Sequence, residues 1–433
     1  MSERDVTVLP GTLSGSIAAV PSKSLAHRII LLASLADGTT EISCPATSAD
    51  IEATLGCVEA LGAKVKRTDG GFRVTGIPVA QGAGFSTTLL DCGESGSTLR
   101  FLLPVVAALG EPRRLVGHGR LAKRPLSPLY EQLVDHGTRL SEQGAFPLEV
   151  AGPLAGGTFV LPGNVSSQYV SGLLMAAPVV DEPVTVVVTK PVESLPYIEL
   201  TIQALAAFGV EVVRRQGVYE GKDVLFFEVQ EGRLVSPEKL SVEGDWSNAA
   251  FWLAAGALSD AGVTVTGLDE HSAQGDRAII SVLERMGAEV SCTPNGITCR
   301  HRPLRGIVVD VSDIPDLVPP LAAVATYCEG TARICNAGRL RLKESDRLET
   351  VSAAINAVGG SARLEGDDLV INGCRPASGV IDAANDHRIA MMAAVLATRA
   401  SGSVCVSGAS CVSKSYPRFW DDFALLGGVI LPA

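Results

Sequence analysis

The chain alternates between two textures. Stretches with apolar residues at helical spacing end in a glycine and lead into short segments of alternating character, and this recurs six times. The junctions are Leu61-Gly62-Ala63-Lys64-Val65, His136-Gly137-Thr138-Arg139-Leu140, Phe208-Gly209-Val210-Glu211-Val212, Met286-Gly287-Ala288-Glu289-Val290, Val358-Gly359-Gly360-Ser361-Ala362 and Leu426-Gly427-Gly428-Val429-Ile430. A glycine at each suits a left-handed helix end. Subtracting the six glycine positions gives steps of 75, 72, 78, 72 and 68 residues, a near-constant period that fills the chain.

Each unit carries an earlier helix, small and apolar, expected to start near Ser24, Gly96, Ser167, Ser247, Asp316 and His387. Alternating stretches such as Phe72-Arg73-Val74-Thr75-Gly76 and Leu225-Phe226-Phe227-Glu228-Val229 lie between the helices. One unit is then two helices with three or four short strands, an α/β (α+β) class with mixed sheets. A period of this length exceeds the roughly 20 to 50 residues of solenoid repeats, so compact domains fit better. Six units divide naturally into two domains of three. The expected crossover is Gly232 to Lys239, with Ser236 and Pro237, which gives 19–236 as the first domain and 1–18 plus 237–433 as the second. The strand-like Asp5 to Ile17 precedes the first unit, and it is expected to complete the second domain as one strand.

Composition agrees with a large buried interior: 46% of the 433 residues are apolar and 19% charged. The net charge of -11 excludes a broad phosphate-backbone surface, so no nucleic-acid partner is expected and any anion site must be local. The apolar runs are shorter than a bilayer span, and Glu3, Arg4 and Asp5 do not resemble a signal peptide. The expectation is a soluble, cytoplasmic protein with no membrane partner. Ten cysteines without CxxC pairs read as reduced thiols, and neither a metal site nor a cofactor emerges.

Polar residues of unusual kind gather at helix starts. Lys23, Ser24, His27 and Arg28 open the first helix, with Lys23/His27 and Ser24/Arg28 four apart on shared faces. A helix N-terminus is already electropositive, so cations added there suit a bound anion, while a solvated helix end is the plain alternative. Gly93-Glu94-Ser95-Gly96-Ser97-Thr98-Leu99-Arg100 allows close backbone approach, and Arg120, Lys123 and Arg124 form a second cationic knot. Ser166, Ser167 and Gln168 open a third helix, with Ser194 and Tyr197 beyond it. The densest cluster runs from Arg339 to Leu348, where Lys343 and Arg347 are expected on one helical face beside Glu344 and Asp346. Asp316, Asp386-His387-Arg388 and Lys414 mark further starts. Repetition of this arrangement over both halves predicts that the helix starts face a gap between the two domains, whose closure would assemble a site for small polyanions.

Together these motifs resemble the 5-enolpyruvylshikimate-3-phosphate synthase family of enolpyruvyl transferases. The resemblance also takes in Arg124-Pro125, Val242-Glu243-Gly244-Asp245, Gln274-Gly275-Asp276 and Asn385 to Arg388, in order over essentially the whole chain. It implies two domains of three βαβαββ units, the inside-out α/β barrel, and transfer of the enolpyruvyl group of phosphoenolpyruvate to the 5-hydroxyl of shikimate 3-phosphate. By the same resemblance Lys23, Ser24, Arg28, Ser166, Ser167, Gln168, Ser194, Asp316 and Lys343 would hold shikimate 3-phosphate. Lys23, Gly96, Arg124, Gln168, Arg347, Arg388 and Lys414 would hold phosphoenolpyruvate. Asp316 resembles the base and Glu344 the acid, with Lys23 able to share the proton work. A monomer and sensitivity to glyphosate are further implications. Departures from the family pattern are Pro21-Ser22-Lys23-Ser24, one residue short before the lysine, Glu94 in place of Asn, Phe101 in place of Pro or Leu, and Arg339 where Asn often contacts substrate. The rivals are a transferase acting on UDP-N-acetylglucosamine, an RNA 3′-phosphate cyclase and a non-catalytic repeat binding protein. The first expects Lys-Asn where this chain has Lys23-Ser24, and a cysteine within the stretch Gly117 to Arg124, which has none.

Overall fold

A computed structural model describes residues 5–77, 89–230 and 232–432, so Glu3 and Arg4 lie outside the described residues. The chain divides into two compact units, Lys23–Val242 and a second formed by Met1–Ser22 with Glu243–Ala433. In the first, helices Lys23–Leu35, Gly96–Leu109 and Ser167–Ala176 open three repeats, and Ala49–Ala60, Leu129–Asp135 and Leu195–Ala207 follow them. In the second, Trp246–Ala257, Val318–Ala325 and His387–Ala397 open the repeats, followed by Ile279–Met286, Arg347–Ala357 and Phe419–Leu425. Each expected helix start therefore lies at or beside a real one. Asp316 falls in the short 3-10 turn Pro315–Leu317 that runs directly into Val318–Ala325.

All six junction glycines have left-handed backbone, with φ of 102° at Gly62, 92° at Gly137, 84° at Gly209, 106° at Gly287, 77° at Gly359 and 93° at Gly427. That conformation is costly for any residue with a Cβ, and the period seen in the sequence is a period of helix ends.

Among the described residues six four-stranded sheets share one plan, a parallel pair continued by two antiparallel pairings. Gly157–Pro162 runs parallel to Val184–Thr189, which pairs antiparallel with Lys222–Val229 and that in turn with Val212–Tyr219. The expected single strand from Asp5 to Ile17 is in fact two strands. Pro10, which has no amide hydrogen for a ladder, and Gly11 interrupt it. Val6–Leu9 lies between Val404–Ser407 and Val429–Pro432, whereas Gly15–Ala18 pairs in parallel with Val263–Thr266 in another sheet. Lys239–Ser241, at the end of the expected crossover, pairs in parallel with Thr39–Ser43.

The opening helices are the cores. Every residue of Trp246–Ala257, Val318–Ala325 and His387–Ala397 is buried, as expected of helices apolar all round. The sheets cover them with one face: Phe159 and Leu161 are buried while Thr158 is exposed and Val160 half-buried. Among the described residues no cysteine forms a disulfide, and burial pushes the Cys44 and Cys299 thiols up to about 12, so these two pack as small apolar side chains. Among the described residues no helix is long and apolar enough to cross a membrane.

At Gly287 a Cβ would also stand 2.6 Å from the carbonyl oxygen of Pro303. Replacing Gly287 by Ala should cost about 1–3 kcal/mol. Urea unfolding followed by circular dichroism checks this, and an unchanged midpoint would contradict it.

Candidate active site

In the unit Lys23–Val242 the candidate residues stand at helix starts for identifiable reasons. Lys23, at the electropositive end of its helix, is neutralised by Asp50 at 2.9 Å from the first turn of Ala49–Ala60, and both side chains are mostly buried. Arg28 is 2% exposed and brackets three helices. Its Nε donates to Thr201 Oγ1 at 2.7 Å, Nη1 to the Ser24 carbonyl at 2.6 Å, and Nη2 to the Tyr197 carbonyl at 2.8 Å and Ser171 Oγ at 3.3 Å. Burial pulls its pKa down to about 10, against the opposing influence of Tyr197. Four of its five N–H groups thus serve the fold, which leaves one Nη1 hydrogen for a ligand.

Beside Lys23 runs a buried chain of hydroxyls. His27 Nδ1 lies 2.6 Å from Thr54 Oγ1, Thr54 Oγ1 lies 2.7 Å from Thr98 Oγ1, and Thr98 donates to Ser95 Oγ at 2.7 Å. Ser95 is the N-cap of Gly96–Leu109. Thr54 Oγ1 also donates to the Asp50 carbonyl at 3.4 Å. The His27 ring is neutral. Burial, then Lys23 and Arg28, hold its pKa well below 6.5. This chain ties the Lys23 helix to the Gly96 loop.

At Gly96 a Cβ would stand 2.3 Å from Arg124 Nη1 and 2.6 Å from its Cζ, so the guanidinium packs against the helix start in the space that a side chain there would take. Gln168 is fixed through both amide atoms, accepting from Arg100 Nη1 at 2.7 Å and donating to Ser97 Oγ at 2.8 Å. Ser166 caps Ser167–Ala176 by accepting from the Gln168 amide at 3.3 Å. Ser194 is buried with a left-handed φ of 55° at the start of Leu195–Ala207. Glu94 occupies the space that a side chain at Gly119 would need, 2.6 Å from that Cβ position.

In the second unit the centre is Arg347, 1% exposed at its side chain. It reaches Asp316 Oδ1 at 2.9 Å, Glu344 Oε2 at 2.6 Å, and both oxygens of Asp386 at 2.9 and 3.1 Å. Asp316 also meets Lys343 Nζ at 3.3 Å and Arg388 Nη2 at 3.2 Å, while its carbonyl accepts from Arg388 Nη1 at 3.3 Å. Asp386 is fully buried, accepts from Ser345 Oγ at 3.0 Å and caps His387–Ala397. Lys414 donates to the Asn385 carbonyl at 2.8 Å, next to the positive-φ pair Ala384 and Asn385. Burial raises the Asp316 pKa, but Arg388, Lys343 and Arg347 outweigh it and hold the carboxyl well below the usual range. Burial draws the Lys343 pKa down, opposed by Asp316.

One expectation is corrected. Lys343 and Arg347 do not share a helical face: Gly338–Leu342 is a 3-10 turn, Lys343 is extended, and a new helix begins at Arg347 behind its cap Asp346. The two cations meet because both reach Asp316. Sequence reading missed Asp50 and Asp386 as partners of Lys23 and Arg347, and Arg100 as the partner of Gln168. Only the places of the two acids, in a first turn and at a cap, signalled them.

The fold is that of the enolpyruvyl transferases. EPSP synthase from Acinetobacter baumannii superposes with a TM-score of 0.79 at 26% identity, covering 99% of this chain and 100% of that one. The enolpyruvyl transferase NikO from Streptomyces tendae gives 0.74 at 18% identity, covering 100% and 99% of the two chains, a likeness of fold alone. The model of the family described as EPSP synthase (3-phosphoshikimate 1-carboxyvinyltransferase) matches residues 9–423. Proteins named 3-phosphoshikimate 1-carboxyvinyltransferase from Clostridium beijerinckii and Clostridium kluyveri are each 38% identical, with 98% of both chains covered. The chain belongs to the EPSP synthase family.

Neutral His27 gives a pH-dependent term. The unfolded chain takes up a proton below pH 6.5 that the folded chain refuses, so stability falls as pH drops, by up to about 1.4 kcal/mol per unit. Replacing His27 by Asn should flatten that slope between pH 7 and 5 in urea titrations, and an identical slope in both proteins would refute the assignment.

Proposed function

We propose that the chain moves the enolpyruvyl group of phosphoenolpyruvate onto the 5-hydroxyl of shikimate 3-phosphate, with Asp316 as base and Glu344 as acid. The observation that carries these roles is the meeting of Asp316 with Lys343, Arg347 and Arg388 while Glu344 holds the far side of Arg347. Cations that bind phosphate or carboxylate stand within hydrogen-bond reach of two carboxylates able to move protons.

In the forward reaction the hydroxyl oxygen attacks C2 while its proton passes to Asp316. The C2–C3 π pair takes a proton at C3 from Glu344. Phosphate then departs with the electron pair of its bond to C2, and C3 returns a proton to Glu344 to restore the double bond. Without substrate, Asp316 is a poor base because three cations grip it. Binding of the substrate anions draws those cations off and raises its basicity at the moment of attack. Lys23, beside Asp50, shares the proton work.

We assign Lys23, Ser24, Arg28, Ser166, Ser167, Gln168, Ser194, Asp316 and Lys343 to shikimate 3-phosphate. Lys23, Gly96, Arg124, Gln168, Arg347, Arg388 and Lys414 are assigned to phosphoenolpyruvate. Each unit provides part of both sets, and glyphosate, a small anion, competes for the phosphoenolpyruvate ligands. One chain carries the whole set, which supports a monomer.

Release of phosphate that needs both phosphoenolpyruvate and shikimate 3-phosphate is the expected result. Release with UDP-N-acetylglucosamine instead would overturn the reading. Asp316→Ala should lower kcat by about a hundredfold or more, far more than it weakens shikimate 3-phosphate binding, and wild-type turnover would remove Asp316 from the mechanism. Gly96→Ala displaces Arg124 and should raise the KM for phosphoenolpyruvate about tenfold or more while leaving that for shikimate 3-phosphate within about twofold. Equal effects on both would place Arg124 elsewhere.

A further inference from the structure

Arg124, assigned above to phosphoenolpyruvate, has a backbone with little freedom. A proline follows it, and the ring of Pro125 fixes its own φ near about −65° and confines the residue before it to extended backbone. Arg124 conforms, with φ of −77° and ψ of 131°. Its N–H donates to the Leu121 carbonyl at 3.1 Å, closing the 3-10 turn Leu121–Lys123. Arg124-Pro125 is therefore a stiff pair held at one end by that turn. Whatever holds the other end, the Pro125 carbonyl, also sets the Cα from which the guanidinium hangs.

Two buried donors meet that carbonyl. The Tyr169 hydroxyl donates to it at 2.6 Å and Arg100 Nη2 at 3.2 Å. Tyr169 is buried and follows Gln168 in the first turn of Ser167–Ala176, while Arg100 lies one turn beyond Gly96 in Gly96–Leu109. The Arg100 guanidinium also stands 5.6 Å from the Tyr169 ring centroid. Packing accounts for the ring of Tyr169 but not for its hydroxyl. A phenyl ring would fill the same space, and a hydroxyl is costly to bury unless it finds a partner. The partner here is the carbonyl one residue beyond Arg124.

We propose that Tyr169 is a positioning residue for phosphoenolpyruvate: its hydroxyl holds the Pro125 carbonyl and, through the stiff Arg124-Pro125 pair, seats the Arg124 guanidinium against the start of Gly96–Leu109. The proposal rests on the reaction assigned above. The seat is tight, with Arg124 Nη1, Cζ and Nη2 at 2.3, 2.6 and 2.9 Å from the place a Cβ on Gly96 would take. Without the hydroxyl the carbonyl keeps only the longer bond from Arg100, and a tilt of the pair carries the guanidinium out of line with its anion. Arg28, assigned to shikimate 3-phosphate, is held instead by Ser24, Ser171, Tyr197 and Thr201, so that side is spared.

Tyr169→Phe removes one oxygen and leaves the ring, and the bond from Arg100 keeps the carbonyl partnered, so the variant should fold. It should raise the KM of phosphoenolpyruvate about threefold to tenfold, while kcat and the KM of shikimate 3-phosphate stay within about twofold. A hydroxyl that only supported the fold would lower Tm without splitting the two KM values. Gly96→Ala supplies the second arm of a double-mutant cycle, because it displaces Arg124 directly. In that background Tyr169→Phe should change the KM of phosphoenolpyruvate by less than about twofold. An unchanged KM for phosphoenolpyruvate in the single variant, an equal rise for both substrates, or full additivity with Gly96→Ala would overturn the proposal.

Binding gives a readout without turnover. The rise in Tm that phosphoenolpyruvate alone gives the protein reports its Kd, which should weaken in Tyr169→Phe by the same factor as the KM, and an equal Kd would overturn the proposal. Failure of wild type to release phosphate from the substrate pair would refute the reaction instead, and the comparison of Kd values would still decide the role of Tyr169.

Discussion

Much of the second unit depends on keeping one guanidinium charged out of water. Arg347 is stable in its place only because three carboxylates, Asp316, Glu344 and Asp386, come to it from three different segments. Burial alone would push its pKa down, yet Asp386, Glu344 and Asp316 together raise it. Removing one partner of such a buried set typically costs about 3–5 kcal/mol, because the charge left behind has no water to turn to. The network fixes the turn that carries Asp316, the extended stretch that carries Lys343 and Glu344, and the capped start of His387–Ala397 as one object. The parts that could do chemistry are held by the same bonds that hold the fold.

The other unit solves a similar problem with neutral groups. Arg28 is surrounded by two carbonyls and two hydroxyls, with its guanidinium 4.9 Å from the Phe101 ring centroid. Carbonyl dipoles and a ring face stabilise the cation without neutralising it. None of these partners of Arg28 carries a compensating charge, whereas the Arg347 cluster is balanced by its own acids. Phe101, a departure from the family pattern, is in this light the floor beneath Arg28.

The architecture was legible because the left-handed glycines that end the second helix of each repeat fall at a regular spacing. Six glycines at a near-constant period marked six helix ends, and the small apolar runs before them marked the helices buried on every side. The cations of the candidate site were visible for the same kind of reason, as lysine and arginine at helix starts in an acidic chain. Their partners were not. Asp50 pairs with Lys23 across 27 positions and Asp386 with Arg347 across 39, and no local pattern records pairings at that separation. The expected helical face for Lys343 and Arg347 failed because a spacing of four implies a shared face only where the helix is continuous. Here a cap residue, Asp346, starts a new one.

The two short N-terminal strands have a consequence in time. Lys23–Val242 is continuous in sequence and can fold as soon as it leaves the ribosome. The other unit cannot: Val6–Leu9 must wait for Val404–Ser407 and Val429–Pro432 before its edges are covered. At roughly 5–20 residues per second that delay is on the order of 20–80 seconds, during which the first strand made is the last to be paired. The charge and brevity of that segment, four residues with Asp5 before it and Pro10 behind, suit a strand that must stay unpaired without recruiting a wrong partner.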